Sequence, residues 1–204
     1  MPHYISLKPA GAFALVLLIA NNVLAGNPPA SVLAAKWWQW ALSAPESENP
    51  VTDTTGEFAA VGQHGPIWFL AGNRDGGTTA RTVTVPSGTA LFFPIVNTFL
   101  VDEGTIAEER ARNTASIDGA AGLTLEVDGI SVPITESNRE QSTLFAIRLP
   151  EGNIYGAPAG TYAPAVDEGY YVLLEPLSPG SHTIHFSGSL PGFSLDVTYY
   201  VTVE

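Results

Sequence analysis

From Leu195 to the C-terminus, apolar and polar residues alternate without a break. Leu195, Val197, Tyr199, Val201 and Val203 fall on one side, and Asp196, Thr198, Tyr200, Thr202 and Glu204 on the other. A period of two places one set on a core face and the other in water, so this segment is a half-buried β-strand. The same period recurs from Gly65 onward. Ile67–Ala71, Arg81–Val85, Leu123–Val127, Ser131–Ile134, Phe145–Leu149, Tyr170–Leu174 and Thr183–Phe186 all read as strands. Ala90–Val96 is apolar at every place, as in a strand buried on both faces, and Pro94 within it marks a sheet edge or a bulge. Turn chemistry separates these runs, with Pro86-Ser87-Gly88, Asp128-Gly129 and Ser178-Pro179-Gly180 as the clearest cases.

Two short helices interrupt the pattern. In Ser31–Ser43, Leu33, Trp37, Trp40 and Ala41 form an apolar stripe, with Ser31 as the expected N-cap and Pro45 as the stop. Thr105-Ile106-Ala107-Glu108 fits a capping box for a second helix ending near Ser116. The expected fold is mostly β: a β-sandwich or jelly roll of about eight or nine strands with one or two short helices. Glu151–Pro164, rich in Gly, Pro, Ala and Tyr, reads as a long loop of the kind that carries function or covers a sheet.

Residues 1–25 have the layout of a secretory signal peptide. Lys8 supplies the basic start, Gly11–Ala20 the apolar stretch, and Val23 and Ala25 the positions before a cut at Gly26. The apolar run is about half of the roughly 20 residues a bilayer span needs. The expectation is an exported chain, secreted or periplasmic, with residues 26–204 as a single soluble β-sandwich domain and no membrane span. Cysteine is absent, which removes disulfides, thiolate metal sites and thiol nucleophiles together. The net charge of −12 disfavours nucleic acid and anionic membrane surfaces as partners.

Several stretches resemble an uncharacterised family of secreted bacterial β-sandwich-like proteins with no assigned activity. They are Trp37–Ser43 (WWQWALS), Asn49-Pro50 with Asp53 and Gly56, Gly62-Gln63, Gly65–Gly72 (GPIWFLAG), Arg81–Pro86 (RTVTVP), Ala90–Ile95, Arg139–Ser142 and Leu177–Ile184. The resemblance implies a secreted domain and assigns no catalytic role.

Candidate chemistry is sparse. His3 leaves with the signal peptide, and His182 and His185 lie three apart on a strand and so face opposite sides. No Gly-x-Ser-x-Gly elbow, HExxH spacing or phosphate-binding glycine loop occurs. Asp53, Glu57, His64 and Asp102 are the candidate catalytic set for a hydrolase or lyase acting on an extracellular glycan. Arg81, sharing a face with Val83 and Val85, is expected to be partly buried and paired with Asp53, Glu57 or Asp102, or else to hold an anion. Trp38, off the helix's apolar stripe, and the loop residues Tyr155 and Tyr162 are candidate ligand contacts. Asp53, Asp75 and Asp102 are the candidate ligands for calcium, the one cofactor left open. The leading functional expectation is a non-catalytic binding or envelope-associated module whose partner is a glycan or another envelope component. A glycan hydrolase or lyase and a calcium-stabilised structural domain are the alternatives. Oligomeric state is not legible.

Overall fold

The computed structural model describes residues 26–204. The expected signal peptide and His3 lie outside them. In chain order the described elements are α1 (Ala30–Ala41), β1 (Ile67–Phe69), β2 (Gly77–Val85), β3 (Ala90–Val101), α2 (Ile106–Ile117), β4 (Ala121–Val127), β5 (Ile130–Ser131), β6 (Arg139–Gln141), β7 (Phe145–Leu149), β8 (Gly160–Leu174), β9 (Gly180–Leu190) and β10 (Phe193–Val203). They form a mostly β, sandwich-like fold. One sheet has the order β1-β3-β8-β6, with β7 also pairing β8, and the other has the order β2-β10-β9-β4-β5.

The core lies between the sheets. Leu91, Phe93, Tyr170, Val172 and Leu174 from the first sheet meet Val83, Val85, Leu125, Val127, Ile184, Phe186 and alternate residues of β10. The period-two pattern of β10 is realised in full, with Val197, Tyr199 and Val201 each at most 1% exposed. The outer face of the first sheet is covered by α1, where Leu33, Ala34, Trp37, Trp40 and Ala41 pack on Ile67, Ala90, Phe92 and Tyr171. This second cover explains why Ala90–Val96 is apolar at every place.

Local signals hold where they are local. Thr105 and Glu108 form the capping box of α2. Asp128 and Gly129 take φ of 52° and 75°, the left-handed values a two-residue hairpin turn needs. Pro94 sits at a register shift of the β3–β8 ladder, two residues past Phe92, where the pairing of β3 with β1 has ended.

Other boundaries differ, each for a reason of pairing. Ser31 does not cap α1: Pro29 holds that position without a side-chain bond, and the Ser31 carbonyl accepts from Thr143 N–H. β2 starts at Gly77 because β10 lies parallel to it from Leu195 opposite Gly77 to Val203 opposite Val85. The expected loop 151–164 is shorter, because β7 pairs with Gly160–Ala165 and draws that stretch into β8. The tenth strand, β6, has no alternation of its own and exists as the partner of Glu168–Tyr170.

The bulge at Pro94–Val96 decides what faces α1. Before it, Ala90 and Phe92 point to the helix. Ile95 and Val96 then both enter the inter-sheet core. After it, Asn97 and Phe99 face the helix side, where Asn97 bonds Tyr171 and Phe99 packs on Trp38. One inserted residue thus flips the alternation of the strand. Opposite the bulge stands Gly169, where a Cβ would lie 2.6 Å from Asn97 Cβ and 2.7 Å from the Val96 carbonyl oxygen. Gly169→Ala should therefore lower the denaturation midpoint by an amount equivalent to about 1–3 kcal/mol, the usual cost of overpacking. Gly160→Ala, whose Cβ would meet only Tyr162 at 3.9 Å, should change it by about 0.5 kcal/mol or less. Equal midpoints for the two variants would refute this account of the bulge.

Candidate functional site

Helix α1 carries three tryptophans within four residues, and each indole N–H reaches a different part of the fold. Trp37 Nε1 donates to the Leu70 carbonyl at 2.9 Å, Trp38 Nε1 to Asp167 Oδ2 at 2.6 Å, and Trp40 Nε1 to the Val61 carbonyl at 2.8 Å. Successive helical residues are rotated by about 100°, so Trp38 leaves the Trp37–Trp40 stripe and turns toward β8 and β3. Its ring stands edge-on to Trp37 with centroids 5.0 Å apart and lies 4.3 Å from the Phe99 centroid. As a candidate ligand platform Trp38 is half-buried and occupied by these contacts.

Asp167 was not legible as a site residue. Odd-numbered residues of β8 face α1, which places its carboxyl under the helix at 1% exposure. Oδ2 accepts from Trp38 and, at 2.8 Å, from the Tyr171 hydroxyl, which in turn accepts from Asn97 at 3.0 Å. Oδ1 is buried with no partner. Burial drives the carboxyl up to about 7, against the pull of the Trp38 and Tyr171 hydrogen bonds, and neighbouring Glu168 adds to the rise. Its strand neighbour Glu168 points the other way and is fully engaged. It accepts from Arg139 Nε at 2.7 Å, Thr114 at 2.6 Å and Gln141 at 2.9 Å, which ties α2 and β6 to β8. Burial opposes the charge of Arg139, but Asp118 and Glu168 outweigh it and hold the guanidinium above its ordinary value.

Arg81 is 1% exposed, so its burial exceeds the expectation. Among the described residues no carboxylate pairs with it. Its Nε donates to the Asp53 backbone carbonyl at 2.7 Å, and one terminal nitrogen donates to the Ala71 carbonyl at 3.0 Å and the Tyr199 hydroxyl at 3.1 Å. Its carbon centre lies 5.4 Å from the Tyr199 ring centroid. Backbone dipoles and an aromatic face therefore solvate the cation in place of an ion pair. The Asp53 carboxylate is spent on its own loop, accepting from the N–H groups of Thr55, Gly56 and Phe58 and from the Thr55 hydroxyl. Burial works against its charge, but these four bonds outweigh it and hold the carboxyl below its ordinary value.

The remaining candidates occupy different places. Glu57 and Asp75 are exposed. His64 is exposed in a separate hollow with Lys36 and Trp40, its Nδ1 2.8 Å from the Gly62 carbonyl oxygen. Asp102, Tyr155 and Tyr162 do come together, lining one open hollow of about 430 Å³ with Phe99, Val101 and Leu149. Tyr155 is 47% exposed. The loop that presents it is fixed by Asn153, which is 2% exposed. Asn153 Nδ2 donates to the Pro150 and Ala157 carbonyls at 2.9 and 2.7 Å, and its Oδ1 accepts from the Tyr155 and Ala157 N–H groups. Tyr162 is held by a 2.8 Å bond from its hydroxyl to the Pro158 carbonyl. A second cavity of about 210 Å³ lies beneath α1, with Trp37, Trp38, Arg74, Asn97, Tyr155 and Phe193 in its wall. Among the described residues, no group of three or more His, Cys, Asp or Glu side chains is placed to hold a metal ion. No described helix is long and apolar enough to cross a membrane.

No family model matches the chain, and no curated protein does. Three solved structures are similar at a low level. PbICP-C in its complex with falcipain-2 has a TM-score of 0.29 at 12% identity, covering 69% of this chain and 100% of that one. The cysteine protease inhibitor EhICP2 from Entamoeba histolytica has a TM-score of 0.27 at 18% identity, covering 70% of this chain and 100% of that one. Amebosin has a TM-score of 0.22 at 12% identity, covering 62% of this chain and 96% of that one. Similarity at this level carries no functional argument.

Asp167 makes stability depend on pH. Its folded-state value of about 7 lies above the ordinary carboxyl value of 3.8. The folded chain then holds a proton that the unfolded chain releases, so the contribution is full below about pH 4 and is lost as pH rises through 7. Melting temperature should fall between pH 5 and pH 8, and Asp167→Asn should flatten that fall. An identical pH profile in wild type and variant would contradict the placement of this carboxyl.

Proposed function

We propose that the chain is an exported, non-catalytic binding module, and that the open hollow at Asp102, Tyr155 and Tyr162 takes an extracellular glycan or another envelope component. The observation that carries the reading is convergence. Tyr155 and Tyr162, singled out for ligand contact, share one hollow with Asp102, singled out as a catalytic and calcium candidate, while the carboxylate of Asp53 is consumed by its own loop and His64 lies in another hollow. Tyr155 and Tyr162 offer apolar ring faces for the C–H surface of a sugar, and Asp102 accepts hydroxyl hydrogens. The Asn153 bonds pre-form the Tyr155 loop, which lowers the ordering cost of binding. Cleavage after Ala25 and a periplasmic or secreted fate belong to the same reading, because an envelope ligand is met only outside the cytoplasm.

Affinity electrophoresis against a panel of bacterial and plant polysaccharides is the first test. A retarding polymer should bind Tyr155→Ala and Tyr162→Ala about 5-fold more weakly each, near 1 kcal/mol per ring. Asn153→Ala should weaken it further by loosening the loop. Retardation unaffected by any of the three would refute the site. Release of reducing ends that disappears in Asp102→Asn would favour the hydrolase instead.

A further inference from the structure

We propose that the hollow between α1 and the segment from Gly62 to Phe69 is a second binding site, for a small organic carboxylate with an apolar, ring-sized body. Its volume of about 530 Å³ falls within the range of about 300–1,000 Å³ usual for small-molecule sites. The two walls are tied together. Trp40 Nε1 donates to the Val61 carbonyl at 2.8 Å. Gln63 Nε2 donates to the Ala59 and Phe69 carbonyls at 3.0 and 2.7 Å, and its Oε1 accepts from Phe69 N–H at 3.0 Å. A wall pre-formed in this way lowers the ordering cost of binding.

The sign of the charge in this hollow decides the ligand's head group. The chain carries 20 Asp and Glu against 8 Lys and Arg. Yet the ionisable groups in the wall are Lys36 and His64, and no Asp or Glu lines it. Lys36 is the one lysine of residues 26–204. Lys36 and His64 are exposed, and among the described residues neither is paired with a carboxylate. The other two described histidines each sit on one, His182 at 2.7 Å from Asp128 and His185 at 3.2 Å from Asp196. His64 Nδ1 is 2.8 Å from the Gly62 carbonyl oxygen. A carbonyl only accepts, so Nδ1 carries a hydrogen and Nε2 is left for a ligand. In the protonated ring Nε2 donates to a carboxylate, and the Lys36 ammonium offers further donors.

The rest of the wall selects the body. Pro28 and Phe69 are half-buried and Pro66 is exposed, so each presents apolar surface to the hollow. Trp40, 5% exposed, backs Phe69 with ring centroids 5.6 Å apart. An inorganic anion gains the charge contacts but leaves that apolar surface in water. A carboxylate carried on a ring satisfies both. A cation meets two basic groups and no acid. This hollow shares no lining residue with the one at Asp102, Tyr155 and Tyr162, so the two sites stand or fall separately.

The test is calorimetric titration of the full chain at about pH 6, where histidine carries charge. The probes are phenylacetate, its neutral amide phenylacetamide, phenethylamine, glucuronate and inorganic phosphate. Phenylacetate should saturate and bind at least about 5-fold tighter than each of the other four, the equivalent of about 1 kcal/mol. Lys36→Gln and His64→Ala should each weaken phenylacetate about 3- to 5-fold and leave phenylacetamide unchanged. Lys36→Glu should reverse the preference to phenethylamine. Both positions are exposed, so the variants keep the fold. None of them should change retardation by a polysaccharide. Phenylacetamide or phenethylamine binding the wild type as tightly as phenylacetate would overturn the charge assignment. Glucuronate or phosphate binding as tightly would overturn the apolar body. No saturable binding by any probe, or phenylacetate binding that Lys36→Gln leaves intact, would overturn the site.

Discussion

Three indole N–H groups on one helix hold this structure's outer layer in place. Trp37, Trp38 and Trp40 of α1 bond to the exit of β1, to β8 and to the loop before β1. The docked helix buries the first sheet on both faces, so Ala90–Val96 of β3 and Tyr170–Leu174 of β8 carry no charged residue and are almost entirely buried. The cavity and the open hollow both depend on that docking. The cavity of about 210 Å³ lies under the helix, and Phe99, held against Trp38, continues into the open hollow. The proposed binding surface is therefore a by-product of how a tryptophan-rich helix covers a sheet.

Cysteine-free stability rests on packing and on buried polar groups that find specific partners. Arg81 shows the principle most clearly. A guanidinium at 1% exposure binds carbonyls of two separate loops and the hydroxyl of Tyr199, thereby joining β2, β10 and the segments around Asp53 and Ala71. Glu168 does the same for α2 and β6. Trp68 Nε1 and the side-chain oxygens of Asn73, Asn113 and Asp167 are exceptions, and among them Asp167 is the ionisable one, with Oδ1 left without a partner under α1. A buried carboxyl in that state is neutralised more easily than a solvated one, which couples the docking of α1 to pH.

What the sequence made legible was local. The alternation of β10, the Asp128-Gly129 hairpin, the Thr105–Glu108 capping box and the irregularity at Pro94 each follow from a few adjacent residues. What it hid was set by distant pairing. β6 has no pattern of its own, and the start of β8 looks like loop until β7 lies beside it. Arg81 was visible as an inward-facing cation, but its carbonyl partners come from turns whose approach no periodicity encodes. Asp167 was missed because an acid pair, Asp167-Glu168, ahead of a buried strand reads as solvent-exposed. The signal available was its spacing, two and four residues from Gly169 and Tyr171 on one strand face. The grouping of Asp102, Tyr155 and Tyr162 was equally hidden, since it needs β3 to run to Val101 and β8 to start at Gly160.

The central claim is that α1 is fixed by indole bonds, with Trp38 closing over a buried acid. It is tested most directly by the indole N–H resonances of the four tryptophans, followed through a pH titration. The Trp38 resonance should titrate with a midpoint near the Asp167 value of about 7, and the titration should vanish in Asp167→Asn. A Trp38 resonance that is flat across this range, or that titrates near pH 4 as an exposed carboxylate would impose, would contradict the account.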